Sequence, residues 1–144
     1  MPEASRPLLA FDFGLKRIGV ATGNSLTRTA SPLTTLQSAA GKPPWPAIDA
    51  LIAEWQPGLL VVGHPGPEGN PALLEALETF VAEARARYDL AVESIDERYT
   101  STAAEESFRT HRQKGIYNRR LTREQIDRHA ACLIAEQWMN QAFE

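Results

Sequence analysis

The stretch from residue 8 to residue 22, LLAFDFGLKRIGVAT, places the strongest constraint on the fold. Two short apolar runs in it flank a turn signal at Gly14, and this pattern predicts a tight β-hairpin. Asp12 interrupts the first run, at a position where an alternating strand would fill a core. Because aspartate is poorly suited to strands and to burial, the position of Asp12 indicates a local requirement for a carboxylate.

The rest of the 144-residue chain predicts strands and helices of a single domain. Strands are expected at 8–13, 17–23, 30–36, 59–65 and 90–96, and helices at 43–55, 71–88, 101–111 and 122–141. The first three strands follow one another directly, so they should pair as an antiparallel meander, whereas a helix before each later strand implies a parallel crossover. The expected fold is α/β, a five-stranded mixed sheet with three antiparallel strands and then two parallel ones, flanked by helices.

Charge interrupts an apolar pattern in three further stretches, at residues 63 to 70, 95 to 101 and 126 to 138. The first two, like Asp12, lie where predicted strands end, and ligands of α/β sheets gather at the carboxyl ends of strands. The third lies on the last predicted helix, where Asp127 shares a side with the apolar residues four, seven and eleven positions later. An acid on a buried stripe needs a partner, and taken alone Asp127 fits a structural role as well as a functional one.

Three acids from these stretches would form a cluster without matching buried bases. Asp96 and Glu97 are neighbours in a strand and point to opposite faces, so only one of them should join Asp12. By itself, Glu97 is better explained by a surface salt bridge with Arg98. A cluster that also contains Asp127 is costly, however, unless a hard cation neutralises it. Carboxylates without a histidine or cysteine set at zinc spacing favour Mg²⁺ or Mn²⁺.

The net charge of −3 hides an uneven distribution of charge. Residues 43 to 97 carry ten acidic and two basic side chains, whereas residues 109 to 123 carry six basic side chains, one histidine and no acid. Clustered positive charge, rather than net charge, binds polyanions. The basic segment is either a nucleic-acid contact or a solvated loop, and charge alone does not separate these interpretations.

Composition and hydropathy narrow the class of protein. A chain with 43% hydrophobic and 23% charged residues is typical of a soluble globular protein. No apolar run reaches the roughly 18 residues of a membrane span, and residues 1 to 7 lack the apolar core of a signal peptide. The one cysteine, Cys132, lies in an apolar helical pattern and is expected to be a buried thiol in a reducing compartment. These features predict a cytoplasmic location.

Four segments together resemble the motifs of a known family. They are DFGLKRIGVA at 12–21, VVGHP at 61–65, DERYTSTAAE at 96–105 and DRHAACLIA at 127–135, in the usual order and at the usual spacing. Over nearly its whole length the chain is similar to the YqgF-type (RuvX) family. Members of that family are RNase H-like nucleases described as pre-16S ribosomal RNA processing enzymes and, earlier, as Holliday junction resolvases. The resemblance therefore implies an RNase H-like fold.

The resemblance also implies roles for individual residues. The catalytic and metal-binding acids would be Asp12, Glu97 and Asp127, with Mg²⁺ or Mn²⁺ as cofactor. The side chains that neutralise phosphates near the cleaved bond would be Lys16, Arg17 and Arg98. The basic segment would hold the nucleic acid farther away, through Arg112, Lys114, Arg119 and Arg120.

The comparison with the family motifs concerns three more positions. Thr100 and Ser101 match a serine or threonine pair in the third motif. Their main role there would be to cap a helix, and their secondary role would be to contact the substrate backbone. His64 stands where a leucine is usual, and it is either a proton carrier or phosphate contact beside the site or a tolerated loop substitution. The loop after it reads GPEGN instead of the more usual asparagine-bearing form that ends in an acid and glycine. The contacts with substrate are therefore expected to differ more than the chemistry.

The resemblance implies a hydrolase, a metal-dependent nuclease that processes the end of pre-16S ribosomal RNA during ribosome biogenesis. Its partners would be a ribosomal RNA precursor, in preference to branched DNA, and the pre-ribosomal particle. Two alternatives stay open. A Holliday junction resolvase-like DNA endonuclease would need two active sites and thus a dimer, whereas the sequence shows no interface and predicts a monomer or weak dimer. A non-cleaving RNA- or ribosome-binding factor would keep the fold and bind RNA without turnover.

Overall fold

A computed structural model of the protein describes residues 6–39, 41–66, 69–96 and 122–142. The strands in these ranges are β1 (Leu8–Phe13), β2 (Arg17–Asn24), β3 (Thr29–Gln37), β4 (Leu59–His64) and β5 (Val92–Asp96). The helices are α1 (Trp45–Trp55), α2 (Pro71–Tyr88) and α3 (Arg123–Ala142). No helix in the described part of the chain has the length and apolar composition to cross a membrane.

The strand pairing confirms the predicted mixed sheet, whose order is β3-β2-β1-β4-β5. β2 pairs antiparallel with β1 and β3, whereas β4 pairs parallel with β1 and β5. β5 begins at Val92 rather than at the predicted residue 90, because Asp89 ends α2 in the left-handed conformation with its N–H bonded to the Arg85 carbonyl. The helix predicted at 101–111 lies outside the described residues.

Alternation along β1 directs its side chains into two different cores. Leu9 and Phe11 pack in a core covered by α1 and α2, where the rings of Phe11 and Phe80 have centroids 5.7 Å apart. Ala10 packs in a second core on the other face, which α3 covers. By the same alternation, Asp12 belongs to the face of α3.

A reciprocal capping box begins α3, as the sequence predicts. The Thr122 amide donates to Gln125 Oε1 at 2.9 Å, and the Gln125 amide donates to Thr122 Oγ1 at 3.2 Å. Farther along the helix, Cys132 is buried, and burial raises the pKa of its thiol to about 12. The sulfur is therefore a neutral packing group near pH 7, which confirms the prediction of a buried thiol.

Candidate metal and nucleic-acid site

Asp12 and Asp127 come from distant parts of the sequence and are brought together by one backbone contact. Asp12 on β1 pairs directly with Gly19 on β2, so both positions face the same side of the sheet. A Cβ atom at Gly19 would overlap the backbone carbonyl of Asp127. Glycine in a strand interior allows such a close approach of another backbone. The absent side chain of Gly19 thus lets α3 place Asp127 on the face of Asp12.

The two carboxylates line one open cleft at the carboxyl end of β1, with a volume of about 330 Å³. The cleft is formed by Asp12, Phe13, Gly14, Leu15, Lys16, Arg17, Asn70, Leu73 and Asp127. Asp12 is half-buried, whereas Lys16 is exposed. The structure therefore brings two of the predicted acids together with the two predicted basic residues of the hairpin.

Arg17 makes a direct ion pair with Asp127. Its Nε donates to Oδ2 at 2.7 Å, and the two side chains are 23% and 20% exposed. The hydrogen bond to this carboxylate raises the pKa of Arg17. Among the described residues, Asp127 is the only hydrogen-bond partner of the Arg17 side chain, so both Nη groups are available to a ligand in the cleft. The acid on the buried side of α3 thus has the partner that the sequence demands.

A neighbouring loop fixes the hairpin turn that carries Lys16 and Arg17. The Ser38 amide donates to the Lys16 carbonyl at 2.8 Å, and the Gly41 amide donates to the Leu15 carbonyl at 3.0 Å. Gly41 has a φ of 80°, a left-handed conformation that glycine adopts without strain. Because these two hydrogen bonds hold the turn in place, the region that the side chains of Lys16 and Arg17 can reach is limited.

His64 lies on the opposite face of the sheet from Asp12. It alternates with Val62, which packs in the core beneath α1 and α2, and it borders a separate groove of about 310 Å³ between α2 and the strands β4 and β5. Its Nδ1 accepts a hydrogen bond from the Gly66 amide at 2.9 Å. The structure does not bring His64 into the cleft, and its contact with its own loop favours the interpretation as a loop substitution.

The register of β5 determines the face on which Asp96 lies. Ile95 packs in the core under α3, so Asp96, which pairs with His64, lies on the other face. Asp96 is therefore not the acid that joins Asp12. The predicted residues that lie outside the described ranges are Glu97, Arg98, Thr100, Ser101, Arg112, Lys114, Arg119 and Arg120. Within those ranges, no three acidic, histidine or cysteine side chains gather as a metal-binding group.

Asn70 and Leu73 line the cleft without having been singled out by the sequence. Asn70 caps α2, because its Oδ1 accepts a hydrogen bond from the Ala72 amide at 2.9 Å. An asparagine directly before Pro71 is a recognisable signal for a helix start. Its position beside Asp12 depends on how α2 packs against the sheet, which no local signal reveals.

A match to a protein-family model identifies the family of this chain. Residues 6–141 match the model of RuvX, which is described as Holliday junction resolvase. This chain belongs to the RuvX family. The matched range contains the hairpin and the last helix that form the cleft, and it confirms the resemblance of the four motifs.

Curated relatives of this RuvX protein are similar over most of their length. A Paraburkholderia phymatum protein is 43% identical over 136 residues, which cover 92% of this chain and 84% of the relative. A Legionella pneumophila protein is 39% identical over 136 residues, with 93% and 95% covered. A Haemophilus ducreyi protein is 41% identical over 135 residues, with 92% and 95% covered. All three carry the name "Putative pre-16S rRNA nuclease".

Solved structures share the fold of the RuvX chain at low sequence identity. RuvC of T. thermophilus in complex with a Holliday junction substrate superposes with a TM-score of 0.59 at 12% identity, over 96% of each chain. Fowlpox virus resolvase in complex with Holliday junction DNA also gives 0.59 at 12% identity, over 96% of this chain and 99% of the other. These resolvases have the RNase H-like fold, so the fold class predicted for this chain is confirmed.

Proposed function

We propose that this RuvX protein is a metal-dependent nuclease that hydrolyses phosphodiester bonds in a ribosomal RNA precursor. The observation that carries the proposal is the shared cleft, in which Asp12 and Asp127 supply carboxylate oxygens where Lys16 and Arg17 supply positive charge. Carboxylates hold a divalent cation and basic side chains hold phosphate, and metal-dependent phosphodiester hydrolysis uses both.

The donor set of the cleft fits a hard divalent cation. Asp12 and Asp127 offer oxygen ligands, and no histidine or cysteine is among the described residues that line the cleft. Oxygen ligands favour Mg²⁺ or Mn²⁺ over zinc. We assign the third acid to Glu97, which directly follows β5 in the sequence. When bound, the metal would neutralise charge on the phosphate and orient the attacking water.

The protein's own side chains bind the substrate and hold the acids. Lys16 is exposed on the hairpin turn and binds phosphate as a flexible point charge. Arg17 offers its Nη groups for a bidentate contact with phosphate oxygens, while its Nε holds Asp127. We assign Arg98 and the basic segment at 109 to 123 to further phosphate contacts, which hold the strand without reading its sequence.

The names of the relatives support pre-16S ribosomal RNA as the substrate, and we assign its end as the site of cleavage. This assignment makes a ribosomal RNA precursor, alone or within a pre-ribosomal particle, the partner of the cleft. It also places the activity in the bacterial cytoplasm, where ribosomes are assembled. A nuclease that cuts one strand needs one active site, so a monomer or weak dimer suffices.

A second candidate function is cleavage of a four-way DNA junction. It is favoured by the similarity in fold to two resolvases whose solved structures contain Holliday junction DNA. At 12% identity this likeness concerns the fold alone and does not choose between substrates. A junction resolvase needs two active sites that act together, so this candidate predicts a dimer in solution.

A cleavage assay that offers both substrates tests the proposal. Single-stranded pre-16S RNA and a four-way DNA junction are incubated with the protein in Mn²⁺ or Mg²⁺ and in EDTA, with Asp12→Asn as the control. We expect metal-dependent cutting of the RNA that Asp12→Asn abolishes without a change in its melting curve. Cutting of the junction alone would establish the resolvase. RNA binding without cutting, or wild-type cutting by Asp12→Asn, would contradict the proposed nuclease, and the first result would favour a non-cleaving RNA-binding factor.

A further inference from the structure

Arg17 is placed to act on Asp127 as well as on phosphate. The pair is joined by a single hydrogen bond of 2.7 Å from Nε to Oδ2, so most donors of the guanidinium are not committed to the carboxylate. Neither side chain is fully buried, since 23% of Arg17 and 20% of Asp127 are exposed. The ion pair can therefore open and re-form within the cleft while β2 and α3 stay folded.

A guanidinium in this position opposes the binding of a cation by Asp127. The carboxylate oxygen that accepts the Nε hydrogen bond is less available as a metal ligand. The positive charge of Arg17 also repels a divalent ion in the same cleft. A phosphate has the opposite effect, because it attracts the same guanidinium and matches its bidentate geometry. Movement of Arg17 toward a phosphate would leave both oxygens of Asp127 to the metal.

We propose that Arg17 controls access of the metal to Asp127: it occupies the carboxylate in the free protein, and a substrate phosphate draws it away. This inference rests on the proposed function, and it concerns the order in which the site is completed rather than the reaction itself. Because coupling between binding sites is reciprocal, a phosphate that strengthens metal binding is bound more strongly when the metal is present. The metal site would thus be completed mainly when nucleic acid lies in the cleft.

Titration of Mn²⁺ into the nucleic-acid-free protein, followed by calorimetry, tests this control. Arg17→Gln removes the charge and the Nε donor, and we expect it to bind Mn²⁺ about fivefold more tightly than the wild type. Arg17→Lys keeps the charge without the planar donor fork, so its affinity should lie between the two.

Lys16→Gln is the matched control for the same titration. Lys16 is an exposed cation on the same turn, and among the described residues only Arg17 pairs with Asp127. Since exposed charges are screened by salt, we expect the affinity of Lys16→Gln for Mn²⁺ to change by less than about twofold. A melting curve for each variant establishes that it is folded.

Binding of a short single-stranded RNA gives a second readout. Its affinity is measured by fluorescence anisotropy in EDTA and in Ca²⁺, and a gel establishes that the RNA stays intact. The gain in RNA affinity on adding Ca²⁺ should be larger for the wild type than for Arg17→Gln, because only the wild type has an ion pair to open. Equal gains would contradict the reciprocal coupling.

The outcomes separate this inference from the proposed function. If Arg17→Gln binds Mn²⁺ with unchanged or lower affinity than the wild type, Arg17 only positions Asp127 and the proposed control is wrong. If Arg17→Gln and Lys16→Gln tighten Mn²⁺ binding equally, general loss of charge explains the effect and the control is also wrong. Both results are compatible with the proposed nuclease function. If neither the wild type nor Arg17→Gln binds Mn²⁺, the metal site and the proposed function fail together.

Discussion

Two arginine–aspartate pairs in this protein differ in how completely the arginine and the carboxylate are engaged. In the pair between α1 and α2, Arg87 donates to Asp49 from Nε at 3.3 Å and from Nη2 at 3.1 Å. The hydroxyl of Tyr88 donates to the same carboxylate at 2.6 Å. The Arg87 guanidinium also lies 5.0 Å from the centre of the Trp45 ring, within the range of a cation–π contact.

The pair of Arg17 and Asp127 leaves most of its hydrogen-bonding capacity unused. Only Nε contacts the carboxylate, at 2.7 Å, and the pair borders the cleft that also contains Asp12. The Arg87 pair has partners on several sides and joins two helices, so its role is to hold those helices together. The two pairs thus differ in the number of committed contacts rather than in the presence of an ion pair, and the pair in the cleft keeps donors that a ligand could use.

The largest expected difference between the two pairs concerns cleavage. Asp127→Asn removes a proposed metal ligand, so the rate of metal-dependent RNA cleavage should fall by more than the roughly hundredfold typical of a change beside a metal ligand. Asp49→Asn lies outside the cleft and should leave the rate within about twofold of the wild type. Initial rates at saturating Mn²⁺ measure both effects. Comparable losses of cleavage rate in the two variants would show that the pair in the cleft has no special role in cleavage.

Gly19→Ala should disrupt the pair of Arg17 and Asp127 and leave the pair of Arg87 and Asp49 intact. The added methyl group would overlap the Asp127 carbonyl and force α3 away from the sheet, at a cost in unfolding free energy of about 3 kcal/mol, together with loss of cleavage. Gly23→Ala on the same strand is the matched control, because the atoms nearest to its Cβ would belong to the Leu8 side chain, the first at 2.9 Å, and not to the backbone of α3. Urea unfolding and a cleavage assay check both variants. Full activity in Gly19→Ala would contradict the proposed placement of Asp127.

The two arginines should also differ in their effect on thermal stability. Arg87→Ala removes the contacts with Asp49 and Trp45, so its melting temperature should be about 2 to 4 °C lower than that of the wild type. Arg17→Ala removes a single hydrogen bond at the edge of an open cleft, and its melting temperature should change less. A larger loss in Arg17→Ala would show that the pair in the cleft is the main structural contact.

The smallest expected effect concerns acid stability. Hydrogen bonds from Arg87 and then from Tyr88 hold the pKa of Asp49 below its ordinary value of 3.8. Because this pKa is depressed in the folded state, the charged carboxylate stabilises the fold above pH 3.8, and the contribution is lost as pH falls through the folded-state pKa. Asp49→Asn should therefore lose less stability than the wild type below about pH 4. Urea unfolding at a series of pH values measures this difference, and parallel curves would refute it.

Local patterns in the sequence predict most of the described fold. The apolar runs around Gly14 predict the first hairpin, and the capping box at 122–125 predicts the start of α3, because these signals depend on neighbouring residues only. The buried stripe of α3 also indicates that Asp127 needs a partner. The identity of that partner could not be predicted, since Arg17 is 110 positions away in the sequence and the contact depends on the close approach at Gly19.

The orientation of His64 shows a second limit of sequence patterns. β4 packs into both cores: Leu60 and Val62 point into the core beneath α1 and α2, and Val61 points into the core beneath α3. A strand that is apolar on both faces has no polar side to mark its orientation. The sequence therefore places His64 at the correct end of the sheet without revealing that it faces away from Asp12.

Paramagnetic broadening of NMR signals by Mn²⁺ tests whether the cleft of Asp12 and Asp127 holds the metal. Substoichiometric Mn²⁺ should first broaden the backbone amide signals of Gly14, Gly19 and Asp127, and Asp12→Asn should abolish this broadening. Signals of α1 near Asp49 should be affected last. Broadening that begins near Asp49, or that persists around Gly19 in Asp12→Asn, would contradict a metal site formed by Asp12 and Asp127.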